Sequence, residues 1–492
     1  MRLYIINHPY HYEMENLCRV FYPAEELGVV KLGVVKGCGV AMPRPTGVAP
    51  MALKQGTPVA ITRIQNSQII VQLFVGKRRL SLSYPVTNNF ELTMAQMLFT
   101  LLRRATGMTP PWGLLTGVRP SKLMLRLRRD EGEARAARYF RDTLWVSEEK
   151  TRLAAEVARA EEPILALTAP RSFSLYVSIP FCPSRCSYCS FVSHTVDRQS
   201  AQKLIPAYVD KLCEEVARTG EIARELGLRM ESVYIGGGTP TSLTAAQLLQ
   251  LCEALRAAFD WNHCGEFTVE AGRPDTITAE KLRALREQGV SRVSVNPQSL
   301  DDAVLALAGR RHTARQAIDC YGLARDMGFH VNMDLIAGLP GDTPEGFRRS
   351  LEGLIALAPE NITVHTLALK RAASLDEIHG AAACAQMLRT AAELLPRAGY
   401  APYYMYRQSR SLGNLENTGW SLPGRFCRYN IDMMEESHTI LACGAGGVTK
   451  LKRCGTDYLE RVFGFKYPYE YLSRFEELME RKEKVRGFYT NE

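Results

Sequence analysis

The stretch from residue 182 reads CPSRCSYC and places Cys182, Cys186 and Cys189 at intervals of four and three. Three thiols this close are odd in number for disulfides. Thiolates bind soft metals, and iron–sulfide clusters are held by cysteine. A structural zinc site closes with four protein ligands, so a closing ligand would have to come from elsewhere, for example His194. Unligated buried cysteines fit less well, because the Pro, Ser and Arg between the thiols make a loop rather than a core segment. A cubane cluster on three cysteines leaves one iron open to bind a substrate or cofactor. The missing fourth thiol then becomes the functional feature.

Such a loop needs a frame to hold it. From residue 172 apolar strand patterns alternate with amphipathic helix patterns. The strand candidates are SLYVSIP, SVYIGGG, FTVEAG, RVSVNPQ, VNMDLIAGLP and ITVHTLAL. The helix candidates include IPAYVDKLCEEVARTGEIAREL, TAAQLLQLCEALRAAF, TAEKLRALREQG and ARQAIDCYGLARDMG. Six alternations predict an α/β fold with a parallel sheet closed or partly closed as a barrel, whose functional groups sit at the C-terminal ends of the strands. The cysteines follow the first strand and GGGTPT follows the second. Glu270 ends the third and Gln298 the fourth, while Asp334 lies late in the fifth. The polar residues thus gather on one rim.

Residues 1–165 read as an N-terminal α+β domain. TPVAITRI and SQIIVQLFV look like strands joined by a polar turn at QN, and helical patterns follow in MAQMLFTLLRRATG and in the charged run beginning RRDEGEARAARYF. GVRPSKL (117–123) reads as a turn and a helix start, although its basic residues could also touch a ligand. Residues 166–400 hold the strand–helix alternation, and 401–492, rich in aromatics and glycine, form a C-terminal accessory domain on the substrate side.

The 492 residues are 46% apolar and 23% charged, ordinary for a soluble globular protein. No signal peptide or membrane span is expected from the apolar runs. The thirteen cysteines should be mostly reduced thiols in a cytoplasmic setting. A formal charge of +9 permits an anionic substrate and proves none.

YVSIPFCPSRCSYC resembles the CxxxCxxC signature of the radical S-adenosylmethionine superfamily. Its flanks resemble the branch of oxygen-independent coproporphyrinogen III oxidases and their relatives. Further motifs recur in that family's order: GGGTPT, VEAGRPDTI, SVNPQSL, GRRHT and DLIAGLPGDT. Within the branch the long N-terminal part, YRQ…GNLEN and the arginine of EAGRPDT most resemble the HemZ type. The resemblance implies a partial (β/α)6 barrel, a [4Fe–4S] cluster on Cys182, Cys186 and Cys189, and S-adenosylmethionine on its open iron. An electron from the cluster would cleave the cofactor to methionine and a 5′-deoxyadenosyl radical, with a protein such as a flavodoxin or ferredoxin as electron donor.

The same resemblance carries roles onto single residues. Gly237, Gly238 and Thr239 would let the backbone approach the cofactor's amino acid headgroup. Glu270 would accept a hydrogen bond from the cofactor, and Arg310, with Arg311 as neighbour, would fork onto its carboxylate. Gln298 and Asp334 would meet the ribose hydroxyls. The bland reading of these four polar side chains is a solvated loop or a helix cap. Tyr176 and Tyr188 match positions flanking the cluster, where core packing is the competing account. Ala368 marks where a second cofactor molecule would sit.

Two positions depart from the family patterns. The founding oxidases carry a further cysteine where this chain has Phe191, and the haem-chaperone relatives carry a histidine where CRYN has Tyr429. The leading expectation is decarboxylation of two propionates of coproporphyrinogen III, a tetrapyrrole whose carboxylates Arg273, Arg371 or Arg407 could meet. A haem-trafficking protein is the second reading. A radical enzyme acting on haem or on RNA is the third, and RNA is disfavoured by the lack of a basic run interleaved with aromatics. With all three cysteines replaced by Ala, the reconstituted protein is expected to hold no cluster iron and lose its brown absorbance; about four irons retained would refute the assignment.

Overall fold

Strands that read as apolar runs must be covered on both faces. Among the residues that the computed structural model describes (1–23, 27–32, 56–86, 88–189, 194–196, 199–368, 380–408 and 411–490) this holds for the first parallel strands of the second part of the chain, such as Ser172–Ile179 and Arg229–Gly237. Phe191 and Arg371 lie outside the described residues. Six strands pair in parallel in chain order: Ser172–Ile179, Arg229–Gly237, Glu266–Glu270, Arg292–Ser294, His330–Ala337 and Asn361–Thr366. The fourth is only three residues long, because the chain leaves it at Val295 and turns through Gln298, whose φ is +70°. The expected strand RVSVNPQ is therefore half strand and half turn.

Crossover helices return each strand to the same end of the sheet, as parallel pairing requires. Local sequence sets their starts. Thr244 with Gln247 and Thr313 with Gln316 form capping boxes at the helices Ala245–Ala258 and Ala314–Asp326. Leu175, Val177, Val233, Ile235, Val269 and Val331 belong to one large apolar core. Alternate residues on the same strands point the other way, toward the inside of the partial barrel.

Residues 401–492, expected as a C-terminal domain, contribute to both ends of this sheet. Ala401–Arg407 and Glu416–Ser421 add antiparallel beyond Asn361–Thr366. Thr439–Cys443 adds in parallel to Ser172–Ile179, followed by the antiparallel strands Val448–Lys452 and Leu459–Phe463. The closing helix Phe475–Thr490 packs Leu478, Val485 and Phe488 into the same core.

The N-terminal part is a five-stranded sheet with its own core. Arg2–Ile6 lies at its middle-left, parallel to both Gly28–Leu32 and Val59–Gln65. The hairpin to Gln68–Val75 turns at Asn66 and Ser67, both with positive φ, which suits the twist of a two-residue turn. The charged run is not one helix. Gly132 breaks it after Pro120–Glu131, and Trp145, with φ of +57°, separates a short π segment from Glu148–Leu165.

Helix Glu148–Leu165 lies against Ala401–Arg407 and so covers the edge of the large sheet. Its buried Lys150 donates to Glu416 at 2.7 Å, and Trp112 donates to the other oxygen of Glu416 at 2.8 Å. Burial alone would raise the Glu416 pKa, but the Lys150 charge and these hydrogen bonds outweigh it and hold the carboxyl below its usual range. Breaking a buried pair leaves an uncompensated charge, at about 3–5 kcal/mol. Lys150→Ala should therefore lower the urea midpoint at neutral pH, and adding Glu416→Gln should recover part of the loss; additive effects of the two changes would deny the coupling.

Candidate active site

The loop after the first barrel strand is tied down at several points. Phe181–Cys182 pairs with His194–Thr195, and Val196 N donates to Cys182 O at 2.9 Å. Ser187 N donates to Ala308 O at 3.1 Å. The ring of His194, the candidate zinc ligand, packs edge-on against Tyr467 and Tyr469 and does not line the cavity beside the thiols.

That cavity, of about 420 Å3, opens inside the partial barrel at the C-terminal ends of the strands. Cys182, Cys186, Cys189 and Tyr188 line one end. Gly237, Gly238, Thr239, Glu270, Gln298, Arg310 and Asp334 line the walls, and Tyr176 and Ala368 also reach it. Arg311 is exposed and outside the lining.

The glycine turn has a use the sequence reading did not foresee. A Cβ at Gly238 would lie 2.6 Å from Phe181 O and 3.0 Å from Cys182 Sγ. Gly237 has φ of +109°, which side chains disfavour. The turn is thus bare on the side that packs against the cysteine strand. Thr239 joins the same contact, with N donating to Phe181 O at 2.7 Å and Oγ1 to Cys182 Sγ at 3.4 Å.

Arg310 is buried, donating to Gly272 O at 2.9 Å, to Asn296 O and to the Tyr188 hydroxyl at 3.4 Å. Asp334 accepts from Asn332 at 2.7 Å and has His365 Nε2 at 3.4 Å. Glu270 accepts a 2.6 Å hydrogen bond from Tyr234. Burial, with the Asp334 charge beside it, pushes Glu270 up to about 7 against the opposing hydrogen bonds of Tyr234 and Gly237.

Tyr234 was not among the expected site residues. Its ring stacks on Tyr429 with centroids 4.4 Å apart, and Tyr176 stacks beside them at 6.2–6.4 Å. Together they make a flat aromatic wall. Glu266 pins it by accepting from Arg428 N at 2.9 Å and Tyr429 N at 3.3 Å. Asn296, His365, Tyr404, Tyr406 and Met433 also line the cavity unforeseen. For His365, Tyr404 and Tyr406 the signal was a two-residue period, since Thr363 and His365, and Tyr404 and Tyr406, line the cavity from alternate strand positions, whereas Asn296 lies beyond the fourth strand and Met433 on helix Arg428–Glu435.

Two arginines offered for substrate carboxylates are otherwise engaged. Arg407 donates to Leu115 O and to Asn414 O at 3.2 Å and sits outside the cavity. Arg273 lines the cavity but binds Ser184 and Asp275.

The family model described as Radical SAM superfamily matches residues 176–354. The oxygen-independent coproporphyrinogen-III oxidase-like protein HemZ of Bacillus subtilis (strain 168) is 38% identical over 402 residues, 79% of this chain and 80% of that one. The chain belongs to the radical SAM superfamily, in its HemZ branch. Over shorter stretches this chain is also similar to the heme chaperone HemW of B. subtilis, 34% identical over 39% of this chain and 50% of that protein. Oxygen-independent coproporphyrinogen III oxidase of Escherichia coli (strain K12) is 34% identical over 40% of this chain and 42% of that protein.

A radical SAM protein uses a [4Fe–4S] cluster and S-adenosylmethionine, and the residues present fit both. Three thiolates on a cubane bind three different irons, so they need to ring a site rather than converge on one ion. Gln298 Oε1, Asn296 Oδ1 and Arg310 Nε are buried without hydrogen-bond partners, and such groups call for one. A polar cofactor in the cavity they line would supply it.

The Glu270 shift has a measurable sign. Its folded pKa lies above the unfolded 4.5, so the native state holds the proton longer, and stability falls as pH rises from about 4.5 through about 7. The loss is on the order of 3 kcal/mol at most. Glu270→Gln, neutral at every pH, should gain stability relative to wild type between pH 5 and 8 in urea unfolding of the apoprotein. Parallel pH profiles would show that Glu270 ionises normally.

Proposed function

We propose that this HemZ-branch protein carries out the oxygen-independent oxidative decarboxylation of coproporphyrinogen III to protoporphyrinogen IX. The observation that carries the reading is the flat wall of Tyr176, Tyr234 and Tyr429 in the same cavity as the three cysteines. A tetrapyrrole has flat pyrrole rings to lay on such a wall. At each propionate the net change is loss of a hydrogen atom, carbon dioxide and one electron, leaving a vinyl group.

When bound, the cluster and S-adenosylmethionine supply hydrogen-atom abstraction. The chain's own residues hold and orient the participants. Arg310 offers a buried guanidinium to a carboxylate, and Gln298 and Asp334 offer an amide and an acceptor to hydroxyls. Tyr188 closes the cavity beside the cysteines, and Ala368, also on the cavity, is where a second cofactor molecule would sit. The tyrosines orient the substrate, and depth inside the barrel excludes water from the reacting carbon. Arg185, exposed on the cavity lip, is the cation best placed for a substrate carboxylate. The electron donor in this reading is a small protein such as a flavodoxin or ferredoxin, and the setting is cytoplasmic; no described helix is long and apolar enough to cross a membrane.

A second reading, haem carriage, is favoured by one observation: the Tyr429 hydroxyl is buried at the cavity without a hydrogen-bond partner. An axial ligand to haem needs such a group to ionise or coordinate. Burial raises the Tyr429 pKa well above 10, with the charges of Tyr176 and Glu270 adding to it, which opposes the phenolate.

The deciding assay is anaerobic incubation of the reconstituted protein with coproporphyrinogen III, S-adenosylmethionine and reductant, read by porphyrin chromatography. Protoporphyrin should accumulate after oxidation of the product, and Tyr429→Phe should keep most of the turnover. Tight stoichiometric haem binding that Tyr429→Phe abolishes, in a protein that never decarboxylates, would overturn the proposal in favour of the carrier.

A further inference from the structure

Arg273 stands three residues beyond Glu270, the end of the third barrel strand, and its side chain is only 4% exposed. Nη1 donates to Ser184 O at 3.2 Å and to Cys186 Sγ at 3.5 Å. Nη2 donates to Ser184 Oγ at 2.8 Å, and Asp275 faces the same guanidinium at 3.2 Å from Nε. Arg310 also reaches the same sulfur, with Nη1 3.9 Å away. Cys186 therefore has two buried guanidinium groups beside it.

We infer that Arg273 is a positioning residue that raises the reduction potential of the cluster through Cys186, and is not a contact for substrate carboxylates. Reduction adds one negative charge to the cluster and its thiolate shell. A cation with an N–H aimed at one of those thiolates stabilises the reduced state more than the oxidised state. Being buried, Arg273 is little screened by solvent or salt. Its fork also grips both the carbonyl and the hydroxyl of Ser184, which ties the loop two residues before the sulfur. Asp275, exposed at its outer edge, partly cancels that charge.

This rests on the cluster being seated on the three cysteines. The test uses the reconstituted holoprotein without substrate, measuring iron per chain and the cluster midpoint potential by EPR-monitored redox titration. Arg273→Gln is expected to keep about four irons and lower the midpoint. Asp275→Asn, which removes the countercharge, is expected to raise it. A merely structural brace would change iron content and leave the midpoint alone, so an unmoved midpoint in either variant at full iron overturns the inference. If Arg273→Gln cannot hold the cluster, Asp275→Asn decides alone: a raised midpoint supports the inference, and an unchanged or lowered one refutes it. Wild-type protein that fails to bind four irons would instead refute the cluster assignment, a separate result.

Discussion

The site depends on one close contact between backbones. The turn after the second barrel strand presses on the cysteine strand so tightly that a Cβ at Gly238 would meet Phe181 O at 2.6 Å. Gly238 N and Thr239 N both donate into the Ile179–Phe181 backbone, at 2.8 and 2.7 Å. This fixes Cys182 to the sheet itself, while the following thiols are carried by a loop. That loop needs further ties, and Arg273, Arg310 and Ala308 provide them. A cluster ligand set made of loop residues becomes rigid only because neighbouring strand ends reach across to it.

The same economy explains why the N-terminal domain bears on the site without entering it. Through Lys150, Trp112 and the backbone at Leu115 it grips Glu416 and Arg407 on the two strands that extend the sheet. GVRPSKL does not reach the cavity. Arg119 forms a fork on Glu436 and Ser121 donates to Glu435 at 2.9 Å, both at the end of helix Arg428–Glu435. The start of that helix presents Tyr429 to the cavity and is held by Glu266. The aromatic wall is therefore braced at both ends of one short helix, once by the barrel and once by the N-terminal domain.

The electrostatics follow from burial. Glu270, Arg310 and Gln298 are placed where water is scarce, so each unsatisfied polar atom is a demand for a ligand. Glu270 holds its proton up to about 7 for that reason. Glu416, more deeply buried at 2% exposure, is held below its usual range because Lys150 donates to it at 2.7 Å. Two carboxyls are thus shifted in opposite directions, Glu270 upward beside the cavity and Glu416 downward beside Lys150.

The sequence by itself determined the cysteine spacing, the strand–helix alternation and the rim positions of Glu270, Gln298, Arg310 and Asp334. These are local signals: strands and helices read from periods of two and 3.6, and motif residues matched to a family pattern, Arg310 among them. It left open which cation serves what. EAGRPDT does not say that Arg273 turns back onto Cys186, 87 positions away, because that contact exists only once the first and third strands of the sheet lie either side of the second. Nor does an isolated tyrosine in SVYIGGG announce a partner 195 residues later in CRYN. The stack of Tyr234 on Tyr429, the docking of GVRPSKL and the sharing of the last strands between both ends of one sheet are non-local. Only tertiary structure decided them, since the identity of a side chain fixes what it can bind while chain crossing fixes what lies within its reach.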